Sequence, residues 1–483
     1  MLKLFLPSVC YAIISNRHTD FNTLLGHVKV LLNGFFRQNR LAALFLMVSW
    51  KLVFHLTLFD CLNAMSENPW IYTDQNNLFS RKRKISFSDA ILSTICMQRS
   101  SSKEEILKYY DFMTNAPTHS ALIQQRNKLK PSAFEDLFYR FTNVVTPDLR
   151  YKGYRLFAVD GSDIYIPRNP NDPDTYRISD VYGKGFNMLH LNAAYDLVSK
   201  LFTDIIIQPV NHINEYNAMC DMIDRYAQLH SEEKAIFIAD RGFTSFNVFA
   251  HAIENGVFFL IRGREPSPRS MLSTLDLPDE PEFDIVFERW LTRRNTNTIK
   301  AQPEIYKSIA SRVFDYLDPK SKKIYYISFR IIKFLLPNGS AEYIYTNLPK
   351  EDFTLDEVRG LYNRRWGIET SFRDIKYAAG MLFFHSRKKQ LLLQEIYAKL
   401  ILYNFSEAVT GGIVIQKRKG NMQYSINFTI AVSLCVEFIR RSSNGADLFE
   451  LDDLISRHLV PVRPGRSSPR YIRARTATSF LYR

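Results

Sequence analysis

Leu156-Phe157-Ala158-Val159-Asp160-Gly161-Ser162-Asp163 and Ala235-Ile236-Phe237-Ile238-Ala239-Asp240-Arg241-Gly242-Phe243 share one pattern. Each is a short apolar run that ends in an aspartate beside a glycine. Runs of four or five apolar residues closed by a glycine turn read as buried strands of an α/β sheet. An aspartate at the carboxyl end of such a strand stands at the rim where open α/β sheets bind ligands. Taken alone, each is equally a turn former or a helix cap.

A third segment, Leu361 to Tyr377, reads LYNRRWGIETSFRDIKY. As one helix it carries Tyr362, Arg365, Glu369, Arg373 and Lys376 within a stripe roughly 80° wide, at about 100° per residue. The plain alternative is a solvated face with ion pairs one turn apart, Arg365–Glu369 and Glu369–Arg373. Beside two strand-end aspartates, a helix-borne glutamate flanked by cations makes a candidate site for hard cations. Magnesium takes a few carboxylate oxygens and leaves room for water and phosphate.

The spacing Tyr362-x2-Arg365-x3-Glu369-x6-Lys376 resembles the Y-R-E-K signature of bacterial DDE transposases of the family called insertion sequence four. The resemblance runs from about residue 75 to the C-terminus. It implies a ribonuclease-H-like mixed sheet with catalytic Asp160, Asp240 and Glu369 as ligands of two Mg²⁺ ions. Mn²⁺ would be a substitute. It also implies nicking at an element's terminal inverted repeats, strand transfer into target DNA, and a homodimer on paired ends. Arg365 and Lys376 fit phosphates beside the scissile bond. Tyr362 fits a phosphate oxygen or a base face. Arg373 extends the same DNA-contacting stripe, and Asp163 is either an outer helper or a turn residue. A structure-selective nuclease that cuts without joining, or a DNA-binding protein whose catalysis has decayed, are the alternatives.

Composition agrees with a globular, polyanion-binding protein. The 483 residues are 46% hydrophobic and 23% charged, with a net charge of +14. That balance favours nucleic acid or an acidic surface. The five cysteines are scattered and show no C-x-x-C, so neither a zinc site nor a disulfide framework is indicated. No P-loop or dinucleotide glycine fingerprint occurs. We expect a bacterial cytoplasmic, nucleoid-associated protein with no membrane partner.

Domain boundaries follow from changes in pattern. Residues 1–64 are a hydrophobic extension. Leu41 to Leu62 is long enough to span a bilayer, but Lys51, His55 and Asp60 are each costly there. We read it as an upstream-extended frame with the working protein starting at Met65; a membrane anchor and a buried helix are the alternatives. Residues 65–150 predict a small helical DNA-binding domain, with helices capped by Ser88, by the box Ser102/Glu105, and by Thr118. Gln124, Gln125, Arg126 and Lys128 on the third helix suit base edges and phosphates; a plain scaffold with a wet face is the alternative. Arg81-Lys82-Arg83-Lys84 is a phosphate-contact candidate.

Residues 151–264 predict three strands, then helix, strand, helix, strand, the first part of the core. Residues 265–348 predict a β-rich insertion with a turn at Pro337-Asn338-Gly339. There Trp290 among Arg289, Arg293 and Arg294 suits a displaced base, or else lies in a hairpin core. Residues 349–410 complete the core. They open at the capping box Thr354/Glu357 and run as one helix through Glu369. Gly367 inside that helix predicts a close approach by another group. Residues 411–483 end in a tail whose six arginines from Pro461 onward would give a log–log salt slope of about −5 if each met a phosphate.

Overall fold

The structure, a computed structural model, describes residues 57–462 apart from 76–77, 82, 179–184, 268–270, 273–274, 276, 311, 337, 416–421 and 447. Lys82, Pro337, the arginine tail and all but the last residues of Leu41–Leu62 therefore lie outside the described residues. Residues 57–67 are helical, and Leu58, Leu62 and Met65 are buried together in the main core. The helix thus runs through position 65. Among the described residues no helix is long and apolar enough to cross a membrane.

Four helices follow: α1 (Phe87–Cys96), α2 (Ser102–Tyr109), α3 (His119–Arg126) and α4 (Ser132–Val145). Thr118 caps α3 as expected. The other two caps are displaced. Ser86, not Ser88, caps α1 in a reciprocal box with Asp89. Ser101 caps α2 through the Glu104 amide. Neighbouring serines offer equivalent hydroxyls, and the chain's entry into each helix selects among them.

The central part is a mixed α/β structure: β1 (Arg155–Ile166), β2 (Tyr176–Ile178), β3 (Gly185–Asp196), β4 (Leu201–Pro209), α5 (Glu215–Leu229), β5 (Ala235–Ala239), α6 (Phe246–Glu254) and β6 (Phe258–Arg262). The alternation matches the expected one, with β2 added. β1 does not stop at Asp160. It continues through Gly161 to Ile166 because β3 pairs with it all the way, from Phe157↔Asp196 to Ile166↔Asn187. The glycine is a strand residue rather than a turn.

β7 (Phe283–Thr292), β8 (Tyr306–Ser308), β9 (Ile324–Leu335) and β10 (Ala341–Thr346) follow. They do not form a separate body. β10 pairs antiparallel with β6 and with β9, so all these strands join one ten-stranded sheet among the described residues, in the order β2-β3-β1-β5-β6-β10-β9-β7-β8 with β4 beside β3. β1, β5 and β6 are mutually parallel; β3 and β4 run antiparallel to their neighbours. The β9–β10 hairpin turns through Gly339, whose φ of +80° favours glycine.

Helices flank the sheet. Phe157, Val159, Phe237 and Ala239 point toward α5 and α6. The alternating residues Ala158, Ile236 and Ile238 point the other way, toward α7 (Leu355–Arg364), α8 (Trp366–Tyr377) and α9 (Lys389–Gly411). α10 (Phe428–Ser443) and α11 (Leu451–Arg457) pack beyond α9, with β11 (Tyr424–Ile426) and β12 (Leu459–Pro461) as a small second sheet. One apolar cluster unites α1, α4, α9 and α10 with β3 and β4, so the N-terminal helices are continuous in packing with the core.

The expected single helix through Glu369 is two. Thr354 and Glu357 form the capping box that opens α7. The ladder then breaks at Arg365, where Arg365 N–H bonds Tyr362 O and Ile368 N–H bonds Arg365 O, both three residues apart. This tightening redirects the chain. Gly367 in the first turn of α8 has the close neighbour it predicted: a Cβ there would lie 2.9 Å from Leu197 Cδ2.

Candidate active site

Val159 on β1 and Ala239 on β5 are register partners, so Asp160 and Asp240 follow side by side where the parallel pairing ends, Asp160 within β1 and Asp240 just past β5. Adjacent strands lie about 4.8 Å apart. By strand alternation both side chains face α7 and α8. Asp240 Oδ1 accepts from Gly242 N–H at 2.7 Å, capping the turn Arg241–Phe243. A Cβ on Gly242 would lie 2.8 Å from that oxygen. Asp160 Oδ1 accepts from Gly161 N–H at 2.9 Å.

Glu369, in the first turn of α8, is linked to Asp160 through one guanidinium. Its Oε1 accepts from Arg365 Nη2 at 2.8 Å, and Arg365 Nη1 stands 3.8 Å from Asp160 Oδ2. The guanidinium is 6% exposed. It lies over the rings of Tyr362 and Trp366, at 5.7 and 5.2 Å from their centroids. Its Nε is buried without a hydrogen-bond partner. The carboxylates therefore converge on a cation supplied by the chain. Among the described residues, no three His, Cys, Asp or Glu side chains already stand close enough to enclose an ion.

Burial raises the Asp160 carboxyl to about 6; Gly161 N–H and Arg365 lower it, while Asp240 and Glu369 raise it further. A carboxyl raised in the folded state holds its proton more readily than in the unfolded chain. Its contribution to stability therefore falls as pH rises between about 4 and 6. Asp160→Asn is expected to raise the melting temperature at pH 7–8 and leave it unchanged near pH 4. The bound is ~3 kcal/mol for a shift of about two units. Thermal melts across that range, without added metal, measure it; an equal effect at both ends would contradict the assignment.

The remaining expected residues divide. Lys376 Nζ donates to Ser162 Oγ at 2.7 Å, bringing the far end of α8 against β1 on the Asp160 face. Arg373 is exposed, with Asp374 beside it at 3.5 Å. Tyr362 is a correction: it is buried in the cluster under α7, beneath Arg365, and offers DNA no face. Trp290 is 38% exposed and packs against Tyr326, its register partner, at 5.0 Å. It stands on the sheet surface, not in a hairpin core.

The third helix requires a second correction. Arg126 is fully buried, and both its terminal nitrogens lie 3.1 Å from Glu395 Oε1. Its Nε donates to Gln394 and its Nη2 also to Leu391 O. Gln125 is buried as well. Neither reads a base from there: Arg126 is turned toward α9, and Gln125 is buried and accepts from Lys128. Lys128 stays partly exposed, bonded to Gln125 Oε1 at 2.9 Å. Among the upstream cations, Lys84 Nζ donates to Asn115 O.

One network beside the site went unread in the sequence. His190 on β3 bridges Asp163 and Glu215. The signal was present: Leu189-His190-Leu191-Asn192-Ala193 alternates apolar and polar, so His190 and Asn192 share the face opposite Leu189 and Leu191.

A model of the transposase DDE domain matches residues 151–405, which is 255 of 483 residues, from just before β1 into α9. No curated protein matches the chain. Among solved structures, a piggyBac transposase in a synaptic complex with hairpin DNA, determined by cryo-electron microscopy, is 11% identical. The alignment covers 86% of this chain and 87% of that one, with a TM-score of 0.46. With more than half its length matched, the chain belongs to the transposase DDE-domain family.

Proposed function

We propose that this protein is an insertion-sequence transposase of the insertion-sequence-four type. It nicks DNA at its element's terminal inverted repeats and transfers the freed strand into target DNA. The observation that carries the reading is that Arg365 joins Asp160 to Glu369, with the charge of Asp240 acting on the same Asp160 carboxyl. A ribonuclease-H-like core is supported by the order β4-β3-β1-β5-β6, in which three antiparallel strands are followed by two parallel ones.

The donor set suits Mg²⁺ or Mn²⁺. The donors are hard carboxylates, and Asp160 is disfavoured as an anion by burial and by the charges of Asp240 and Glu369. Asp160, Asp240 and Glu369 would hold two such ions, which supply water activation and stabilisation of the leaving oxygen. The chain's own residues do the rest. Asp240 is fixed by its turn, Asp160 by its strand, and Glu369 by a helix whose Ile368, Phe372 and Ile375 are buried. Arg365 neutralises the carboxylates until a phosphate competes for it. Arg373 and Lys376 provide cations along α8. Lys128 and Trp290 are further contacts, and the helical region 65–150 is the DNA-docking part. Paired ends imply a homodimer acting on the bacterial nucleoid.

The test is direct. The purified chain is incubated with Mg²⁺, a duplex carrying the inverted repeats that flank its gene, and a target plasmid. Nicked ends and joined product are expected. Cutting without joining would favour the nuclease, and DNA retention without cutting the decayed protein.

A further inference from the structure

The pairing of β1 with β5 ends at Val159↔Ala239. From Asp160 onward β1 keeps only β3 as a neighbour. Asp160 thus sits where the strand loses one edge, and a site of this kind needs its groups held within about 0.5 Å. On the α8 face, Lys376 grips Ser162. On the opposite face, His190 Nδ1 lies 2.8 Å from Asp163 Oδ1 and Nε2 lies 2.9 Å from Glu215 Oε1. Asp163 and His190 are register partners, and Glu215 opens α5. Three elements meet at one imidazole, which is only 7% exposed.

Gly161 shows how closely the bridge is applied. A Cβ there would lie 2.2 Å from His190 Nε2 and 2.5 Å from Glu215 Oε1. The residue after Asp160 has no side chain because the imidazole occupies that space. Both ring nitrogens face carboxylate oxygens, so both must donate, which requires the imidazolium. Burial alone would discharge the ring, but the hydrogen bonds and charges of Asp163 and Glu215 more than offset it, raising it to about 9.

We propose that His190 is a positioning residue: by tying Asp163 to Glu215 behind β1, it fixes the strand segment that carries Asp160 and is paired on one edge only. The proposal rests on the reading of Asp160 as a metal-binding carboxylate. It adds two residues, His190 and Glu215, that touch neither ion nor DNA.

The experiment compares wild type, His190→Ala, His190→Gln, Gly161→Ala and the double variant Gly161→Ala/His190→Ala. Four quantities are measured: thermal midpoint, DNA dissociation constant, Mn²⁺ affinity by calorimetry, and kcat and KM of end cleavage. His190→Ala is expected to keep its DNA affinity and KM while losing about 10–100-fold in kcat and in Mn²⁺ affinity, the range for residues that orient ligands. His190→Gln, which can still donate to one carboxylate, should fall between. Gly161→Ala should show the same defect with a lowered midpoint. Removing the imidazole in the double variant should restore the midpoint but not kcat.

A folded His190→Ala with wild-type kcat and Mn²⁺ affinity overturns the proposal, as does recovery of kcat in the double variant. Should His190→Ala not fold, unchanged kcat and Mn²⁺ affinity in His190→Gln overturn it instead. If wild type binds Mn²⁺ but cuts no DNA, the transposase reading fails, and the Mn²⁺ arm alone decides the positioning role. If wild type binds no Mn²⁺, both fall.

Discussion

Glu369→Gln is expected to lower Mg²⁺-dependent strand cleavage by about three orders of magnitude, ~4 kcal/mol in transition-state free energy, with fold and DNA binding intact. The side chain is partly exposed in the first turn of α8, and the helix is held by Ile368, Phe372 and Ile375, which the change does not touch. Glutamine keeps the shape and still accepts the hydrogen bond that Arg365 Nη2 now gives to Oε1. Only the negative charge is removed. Stability should therefore move by less than about 1 kcal/mol, as for a partly exposed pair. Cleavage should fail because two carboxylates cannot replace three in neutralising the cations the chemistry requires. Single-turnover cleavage with both Mg²⁺ and Mn²⁺, alongside a binding isotherm on the same duplex, separates the effects. Near-normal cleavage by the folded variant would remove Glu369 from the active site and with it the present mechanism.

The largest stability effect is expected from Arg126→Met. Glu395 is only 2% exposed. Burial pushes its pKa up, but Arg126 and the contacts from His385 outweigh that, leaving it below the usual range. Taking away the guanidinium leaves a buried charge without its main partner, a loss of about 3–5 kcal/mol. The partners are 269 residues apart and join α3 to α9. Early release of the N-terminal helices by limited proteolysis should accompany the lowered urea midpoint. The double variant Arg126→Met/Glu395→Met should recover much of the loss, since an apolar pair of similar volume needs no compensation. Both variants, where folded, should bind DNA as wild type does. A drop in DNA affinity with unchanged stability would return Arg126 to the base-reading role its sequence suggested. A depressed carboxylate also fixes the pH sign: the stability from Glu395 is present above about pH 4.5 and lost as pH falls through its lower folded value.

These contrasts mark what was legible in the chain. Caps and short strands are written within a few residues, and they were read correctly at Thr118, Thr354 and Ala235–Ala239. The spacing from Tyr362 to Lys376 pointed to the face that meets β1, because helical periodicity is local. The cap shifts and the break at Arg365 are local, but other misreadings involved a partner distant in sequence. Gly161 became a strand residue because β3 pairs beside it. The insertion strands became part of the main sheet because β10 lies between β6 and β9. Arg126 and Tyr362 turned inward because α9 and the sheet wait there to receive them.

The sequence by itself determined most of the elements and their periodicity, and singled out the acidic residues Asp160, Asp240 and Glu369. Only the tertiary structure decided which polar side chains face water and which are buried. That choice depends on desolvation repaid by partners elsewhere in the chain, as with Arg365 between Asp160 and Glu369, or His190 between Asp163 and Glu215.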